Sequence, residues 1–249
     1  PIVFAANAGA PPPESVRDAA TALVERPAPS TTYGPLAVTL GMAFREAIAR
    51  FDCEIAFRVD VDALITGPGI PEAAAARFAA DPRIGLLGAC AFASEGSARD
   101  VSYPAAILRA EASRDDPLGR LLMALWIDAK AHGYCDAEHA NGCVSLIHRR
   151  ALDAAIAAER LGHPAFEASR LGEDILLALV VRSLGFTLGE FASEGDPLGV
   201  KWRGLPFDPP TLHAQAKSAI HSVRHFGAGW CEAEIRAWFQ GARATRPAP

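Results

Sequence analysis

The sequence lacks any uninterrupted apolar run of about 18 residues, the length at which a helix can cross a bilayer. It also lacks a block of basic residues, and its formal net charge is −5. Half of its 249 residues are nonetheless hydrophobic, which is enough for a sizeable buried core. These features predict a soluble globular protein without a membrane span, and they argue against nucleic acid as a partner.

The five cysteines are odd in number and contain no Cys-x-x-Cys spacing. A disulfide framework is therefore not expected, and a reducing cytoplasm is the favoured location. Cys135, His139 and Cys143 are an alternative set of zinc ligands. Their spacing matches no usual zinc pattern, however, and no fourth ligand is evident.

The first half of the chain alternates strand and helix patterns. It begins with Pro1, and residues 2–6 already read as a buried strand, so we expect the true start to be missing. A helix over residues 14–24, a loop over 25–34 and an amphipathic helix ending before Asp52 follow. This order predicts a wound α/β fold in a single domain over residues 1–240, with a disordered tail at 241–249.

Two aspartates follow the next predicted strand. In this strand the apolar residues Ile55, Phe57 and Val59 alternate with Ala56 and Arg58. This alternation predicts that Ile55, Phe57 and Val59 form one buried face. If the chain stays extended, Asp60 and Asp62 point to the same side. Two adjacent carboxylates repel each other unless a cation lies between them, and Mg²⁺ or Mn²⁺ accepts carboxylate and phosphate oxygens together. The stretch predicts a metal-bound diphosphate site, the alternative being a solvated turn.

Two later motifs carry chemistry. Glu173 and Asp174 precede a strongly apolar helix, where carboxylates commonly cap free N–H groups and can also serve as fixed catalytic groups. His221 lies on a late strand or loop, and a neutral imidazole is a competent ligand for Mn²⁺. His225 is the second choice for this role.

These three motifs, in this order, resemble those of the GT-A glycosyltransferases. The resemblance implies a GT-A, Rossmann-like fold with a mixed central sheet flanked by helices. In that family a further strand and helix precede the equivalent of residues 2–6 and help to hold the nucleotide base. Two interpretations follow: the chain lacks its first βα unit, or residues 2–6 are not the equivalent of that family strand.

The resemblance also implies the roles of individual residues. Asp60, Asp62 and His221 would hold Mn²⁺ or Mg²⁺, and Asp174 would be the general base, with Glu173 the less favoured candidate. A long loop containing Lys201 and Trp202 is a candidate lid over the diphosphate or sugar, or a surface loop whose Trp packs on the core. Arg224 would offset diphosphate charge. The acceptor pocket would involve Asp136, His139 or Asn141, the alternative being that Asn141-Gly142 is a structural turn.

The implied activity is that of a metal-dependent glycosyltransferase of the hexosyltransferase type. It would move a sugar from a nucleotide-diphosphate sugar, with UDP-sugars favoured, to a hydroxyl of a carbohydrate or other acceptor, with inversion. A sugar-nucleotide nucleotidyltransferase and a non-catalytic nucleotide- or carbohydrate-binding scaffold are the alternatives. The amphipathic helix expected over residues 230–239 leaves two further partners open, a second copy in a homodimer or the surface of a membrane.

Overall fold

A computed structural model describes residues 1–6, 14–25, 33–93 and 96–244 of the chain. The chain divides into two compact units. The first draws on Pro1–Ala56, Asp100–His139 and Ile147–Thr187, and the second on Phe57–Arg99, Ala140–Leu146 and Leu188–Pro249. Helices and strands alternate along the chain, so the predicted α/β class is confirmed.

The first unit begins with two short parallel strands, β1 (Val3–Ala6) and β2 (Ala22–Glu25), separated by α1 (Glu14–Ala19). The helix predicted over residues 14–24 therefore ends early. Buried Ala22 and Val24 alternate with exposed neighbours, which is the period of a strand, and pairing with β1 outweighs the helical preference. The loop predicted over residues 25–34 falls mostly on residues 26–32, which lie outside the described residues.

Helices make up the rest of the first unit. They are α2 (Gly34–Arg50), α4 (Ser102–Ala112), α5 (Pro117–Ala131), α6 (Arg149–Ala157), the 3-10 helix Pro164–Ala168 and α7 (Glu173–Ser183). Helix α7 is buried over nearly its whole length and packs against α2 and α5. Helix α4 was not predicted from the sequence, and it carries Pro104 in its first turn. Proline is tolerated in a first helical turn, where its missing N–H would have no partner.

The second unit carries most of the strands and the chain's last helices. They are β3 (Ile55–Val59), β4 (Ala63–Ile65), α3 (Ile70–Ala80), β5 (Ile84–Gly88), β6 (Val144–His148), β7 (Thr187–Glu190), β8 (Leu198–Val200), α8 (Pro209–Ala214), β9 (Ala219–His221), β10 (His225–Phe226), β11 (Trp230–Cys231) and α9 (Glu232–Ala244). One sheet has the order β3-β6-β5-β7. A second, mixed sheet has the order β4-β9-β8, with β9 antiparallel to β4 and parallel to β8. Strands β4 and β8 and helix α8 were not predicted.

Helix α9 closes the second unit and corresponds to the amphipathic helix predicted over residues 230–239, but it begins at Glu232 because Trp230 and Cys231 pair with β10 as β11. Its Ile235 and Phe239 are buried in a cluster with Leu212, Ile220 and Val223. The helix continues to Ala244, so residues 241–244 of the predicted tail are helical, and residues 245–249 lie outside the described residues.

Among the residues that the structure describes, no helix combines the length and the apolar character that crossing a membrane requires. The expectations of a cytoplasmic location and of a homodimer stay predictions.

Candidate metal centre

The two aspartates lie on a tight turn that joins two strands of different sheets. Strand β3 ends at Val59, and the N–H of Ala63 donates to the carbonyl oxygen of Asp60 at 3.0 Å before β4 begins. This i to i+3 hydrogen bond is that of a β-turn. The expectation of an extended chain through Asp60 and Asp62 is therefore wrong, and the turn brings the carboxylates together instead.

The strand before the turn has its faces reversed relative to the prediction. Phe57 and Val59 are 37% and 40% exposed, whereas Arg58 is 7% exposed. The guanidinium Nη2 of Arg58 lies 3.2 Å from Oδ1 of Asp60. An alternating pattern fixes two faces but not which one is buried, and here a cation that pairs with the site takes the inner face.

His221 reaches the turn because β9 pairs with β4, placing residue 221 opposite Ala63. Its Nδ1 lies 2.7 Å from the carbonyl oxygen of Lys201, and its Nε2 lies 3.1 Å from Oδ1 of Asp62. A carbonyl oxygen only accepts, so Nδ1 carries a proton and donates it. The lone pair of Nε2 therefore points at the carboxylate, and a second proton or a metal ion can bind there.

Asp62 is surrounded by donors from the segment after β9. The hydroxyl of Ser222 donates to Oδ2 at 2.9 Å, and Nε of Arg224 lies 2.8 Å from the same oxygen. Burial acts to raise the pKa of Asp62, but the charge of His221 and the contacts of Ser222 and Arg224 outweigh it and lower the pKa. The carboxylate is thus held in its charged form.

Asp60 has a different environment. Burial raises its pKa, and the nearby charges of Arg58 and His221 offset only part of this effect. Its backbone N–H donates to the carbonyl oxygen of Cys143 at 2.9 Å, which anchors the end of β3. The two carboxylates therefore differ in their affinity for a proton, and a cation would relieve the cost of burying the second negative charge.

Asp60, Asp62 and His221 each offer one ligand atom, and these atoms lie within 4.8 Å of one another. Two carboxylate oxygens and an imidazole nitrogen suit Mn²⁺ or Mg²⁺, and a hard ion bound there keeps positions for phosphate oxygens. No other such group of three occurs in the described part of the chain, so the zinc set at Cys135, His139 and Cys143 has no support. His225, the second choice, is exposed and not in the group.

Lys201 and Trp202 follow β8 directly. The N–H of Lys201 donates to the carbonyl oxygen of His221 at 3.0 Å. Lys201 thus contacts both the backbone of His221 and, through its own carbonyl oxygen, the imidazole ring. Trp202 is 66% exposed, and the guanidinium of Arg203 lies 4.3 Å from the centre of its ring. The alternative in which Trp202 packs on the core is wrong. Lys201, which contacts the candidate ligand His221 through a backbone hydrogen bond, is followed in sequence by the exposed aromatic ring of Trp202 and the cation of Arg203.

The predicted catalytic pair belongs to the first unit. Glu173 is only 9% exposed and lines a small, partly open pocket with Leu40 and Phe44 of α2. Asp174 is more accessible, with a side chain that is 19% exposed, and its Oδ1 accepts the N–H of Ile175 at 2.9 Å. Of the two acids, Asp174 is therefore the one that keeps a solvent-accessible carboxylate.

Asp136 and Asn141, two of the acceptor-pocket candidates, have structural partners. Asp136 accepts from Trp126 and Arg109 and pairs with Lys130. The side-chain oxygen of Asn141 accepts from Arg99 at 3.3 Å. Asn141 also donates its backbone N–H to the carbonyl oxygen of Ala89 at 3.0 Å, and the turn before β6 falls on Gly142 and Cys143.

Two contributors to the site had no role in the sequence prediction, Arg58 and Ser222. Arg58 stands two residues before Asp60, and residues i and i+2 of a strand share a face, so this cation could have been assigned to the carboxylate. Ser222 gives no such signal, because its hydroxyl reaches Asp62 only through the pairing of β9 with β4.

The chain was compared with protein-family models, with curated proteins and with solved structures, and none of the three comparisons gave a match.

Proposed function

We propose that this chain is a metal-dependent glycosyltransferase that moves a sugar from a nucleoside-diphosphate sugar, preferably a UDP-sugar, to an acceptor hydroxyl with inversion. The observation that carries the proposal is the grouping of Asp60, Asp62 and His221 at a turn of the second unit. The GT-A fold and the carbohydrate or other hydroxyl acceptor are parts of the same proposal.

The donor set fits a divalent cation. Asp62 is kept charged by Ser222 and Arg224, and Nδ1–H of His221 is fixed by the Lys201 carbonyl, which leaves Nε2 for a ligand. Hydrogen bonds of this kind orient the side chains that bind a metal ion directly. When bound, Mn²⁺ or Mg²⁺ would neutralise negative charge on the leaving diphosphate.

The surrounding residues supply binding groups for the same ligand. The side chain of Arg224 is 69% exposed, so its guanidinium can pivot from Asp62 to a phosphate oxygen. Trp202 presents an exposed ring on which a sugar or a base can stack, and Lys201 adds a flexible cation. In this proposal these three residues recognise the donor.

Asp174 of the first unit is the proposed general base. An acceptor hydroxyl must lose its proton as it attacks the anomeric carbon, and an ionised carboxylate can take that proton. Glu173 is the less favoured candidate for the base, because its side chain is buried, and its proposed role is to orient the acceptor.

Two product assays separate the candidate activities. Incubation of the wild type with UDP-sugars, Mn²⁺ and simple sugar acceptors should produce UDP. The Asp174→Asn protein should still bind UDP, but it should produce UDP from the UDP-sugar at least about 100-fold more slowly. Incubation with a sugar 1-phosphate and a nucleoside triphosphate should release no pyrophosphate. Pyrophosphate release would instead establish the nucleotidyltransferase, and UDP binding without turnover by the wild type would favour the non-catalytic scaffold.

A further inference from the structure

Asp174 faces a histidine from another element of its own unit. Oδ2 of Asp174 lies 3.7 Å from Nε2 of His139, while Oδ1 accepts the N–H of Ile175. The two carboxylate oxygens therefore have separate neighbours. A separation of 3.7 Å permits a direct electrostatic interaction, and a small rotation of the Asp174 side chain closes it to a hydrogen bond.

The other ring nitrogen of His139 fixes the orientation of the imidazole. Nδ1 lies 2.7 Å from the carbonyl oxygen of Ala137, and because a carbonyl only accepts, Nδ1–H is the donor. The side chain of His139 is 9% exposed. The ring is therefore held with Nε2 directed at Asp174, and this nitrogen can accept a proton.

The turn that presents His139 is held on both sides. Ala137 has a φ of 60°, in the left-handed region that non-glycine residues rarely adopt. Asp136 is bound by Trp126, and Glu138 accepts from Nε of Arg182 at 2.6 Å. Anchors of this kind allow a strained backbone to persist, and such strain is concentrated at functional positions.

We propose that His139 is the positioning residue of Asp174 and the final holder of the proton that Asp174 removes. This inference rests on the proposed function. The acceptor O–H bond breaks and an O–H bond forms on Asp174, while the acceptor oxygen bonds to the anomeric carbon and the bond from that carbon to the diphosphate oxygen breaks. The proton then passes from Asp174 to Nε2 of His139, which becomes an imidazolium beside the restored carboxylate.

The kinetic test uses His139→Gln, because glutamine keeps hydrogen-bonding capacity but cannot carry the proton. We expect kcat to fall about 100-fold while KM for the donor sugar stays within twofold. His139→Ala should be partly rescued by added imidazole. His132→Gln is the matched control, since His132 is an exposed histidine of the same unit, and it should leave both constants unchanged. A His139→Gln protein with kcat within twofold of the wild type would overturn the proposal.

A spectroscopic test needs no donor sugar. In a long-range ¹H–¹⁵N spectrum at one pH, Asp174→Asn should shift the Nε2 signal of His139 and leave the signals of His132 in place. An unchanged Nε2 signal would overturn the pairing. Absence of sugar transfer by the wild type would overturn the proposed function, and the catalytic role of His139 with it, even where the spectrum confirms the pair.

Discussion

Nε2 of His221 and Oδ1 of Asp62 lie 3.1 Å apart, while Nδ1 of the same ring donates to the carbonyl of Lys201. In a neutral imidazole the lone pair of Nε2 would therefore face a carboxylate oxygen. Two acceptors at this distance repel each other unless a positive charge lies between them. A metal ion held by both groups would remove this repulsion.

Replacing His221 should weaken metal binding more than replacing the nearby His225. We expect His221→Ala to weaken Mn²⁺ binding at least about tenfold, because one of three protein ligands is lost. His225→Ala is the matched control and should leave the affinity within twofold, since His225 is outside the ligand group. Isothermal titration with Mn²⁺ measures both, and equal losses in the two proteins would contradict the assignment.

Arg224 should compete with the metal ion for Asp62 and should also contribute to binding of the diphosphate. Its Nε is 2.8 Å from Oδ2 of Asp62, so its removal should strengthen binding of Mn²⁺ alone by up to about fivefold, the range of an exposed ion pair. The same Arg224→Ala change should weaken UDP binding in the presence of Mn²⁺, because a phosphate partner is lost. Parallel titrations decide the point. A loss of both affinities would mean that Arg224 only supports the shape of the turn.

Local patterns predicted the α/β class, several helices and the three side chains that the structure groups as candidate metal ligands. The amphipathic helix expected to end before Asp52 is α2, which ends at Arg50, and the apolar helix expected after Glu173 and Asp174 is α7. Asp60, Asp62 and His221 could be chosen as candidates from the sequence because carboxylates and imidazoles are the side chains that metal ions such as Mn²⁺ accept, and the structure brings the three together. The predictions failed where tertiary pairing decided the result.

Three failures share this physical origin. Residues 22–25 form a strand because β1 lies beside them, and the four-residue stretch is too short for periodicity to distinguish strand from helix. The face of β3 was reversed because alternation does not say which side is buried. Contacts such as Ser222 with Asp62 or His139 with Asp174 join distant residues, so no local pattern contains them.

Asp136 should be important for stability and not for catalysis. Its side chain is 18% exposed and contacts Trp126, Lys130 and Arg109, each at 3.0 Å. We expect Asp136→Asn to lower the free energy of unfolding by about 1–3 kcal/mol, because charged donors lose their partner. Asp115→Asn, at a fully exposed carboxylate, should change it by less than about 0.5 kcal/mol. Urea unfolding measures both.

The Asp136 contribution should depend on pH in a defined direction. Burial acts to raise the pKa of Asp136, but hydrogen bonds from Lys130, Trp126 and Arg109 outweigh it and lower the pKa. A lowered native pKa stabilises the fold above the unfolded value near pH 4, and the stabilisation is lost as the pH falls through the native value. The stability gap between wild type and Asp136→Asn should therefore narrow below about pH 4. A gap that stays constant down to pH 2.5 would contradict this account.

Gly41 and Gly162 of the first unit lie so close together that Gly41 has no room for a side chain. A Cβ built on Gly41 of α2 would lie 2.3 Å from the Cα of Gly162, which is backbone and cannot rotate away. Gly41→Ala should lower the free energy of unfolding by about 1–3 kcal/mol or more. Gly241→Ala in α9 is the matched helical control, because a Cβ built there has no neighbour within 4 Å among the described residues outside its own helix backbone, and the change should stabilise the fold by up to about 1 kcal/mol. Similar effects in the two proteins would refute the close contact.

The most direct test of the proposed centre is isothermal titration of UDP into the wild type and into Asp62→Ala, each with Mn²⁺ and with EDTA. The account predicts that the wild type binds UDP with Mn²⁺ and not with EDTA, and that Asp62→Ala loses this metal-dependent binding by at least about 100-fold. Binding that is equal in EDTA, or equal in the two proteins, would contradict a metal-held diphosphate at Asp60, Asp62 and His221. So would the absence of binding by folded wild type with Mn²⁺.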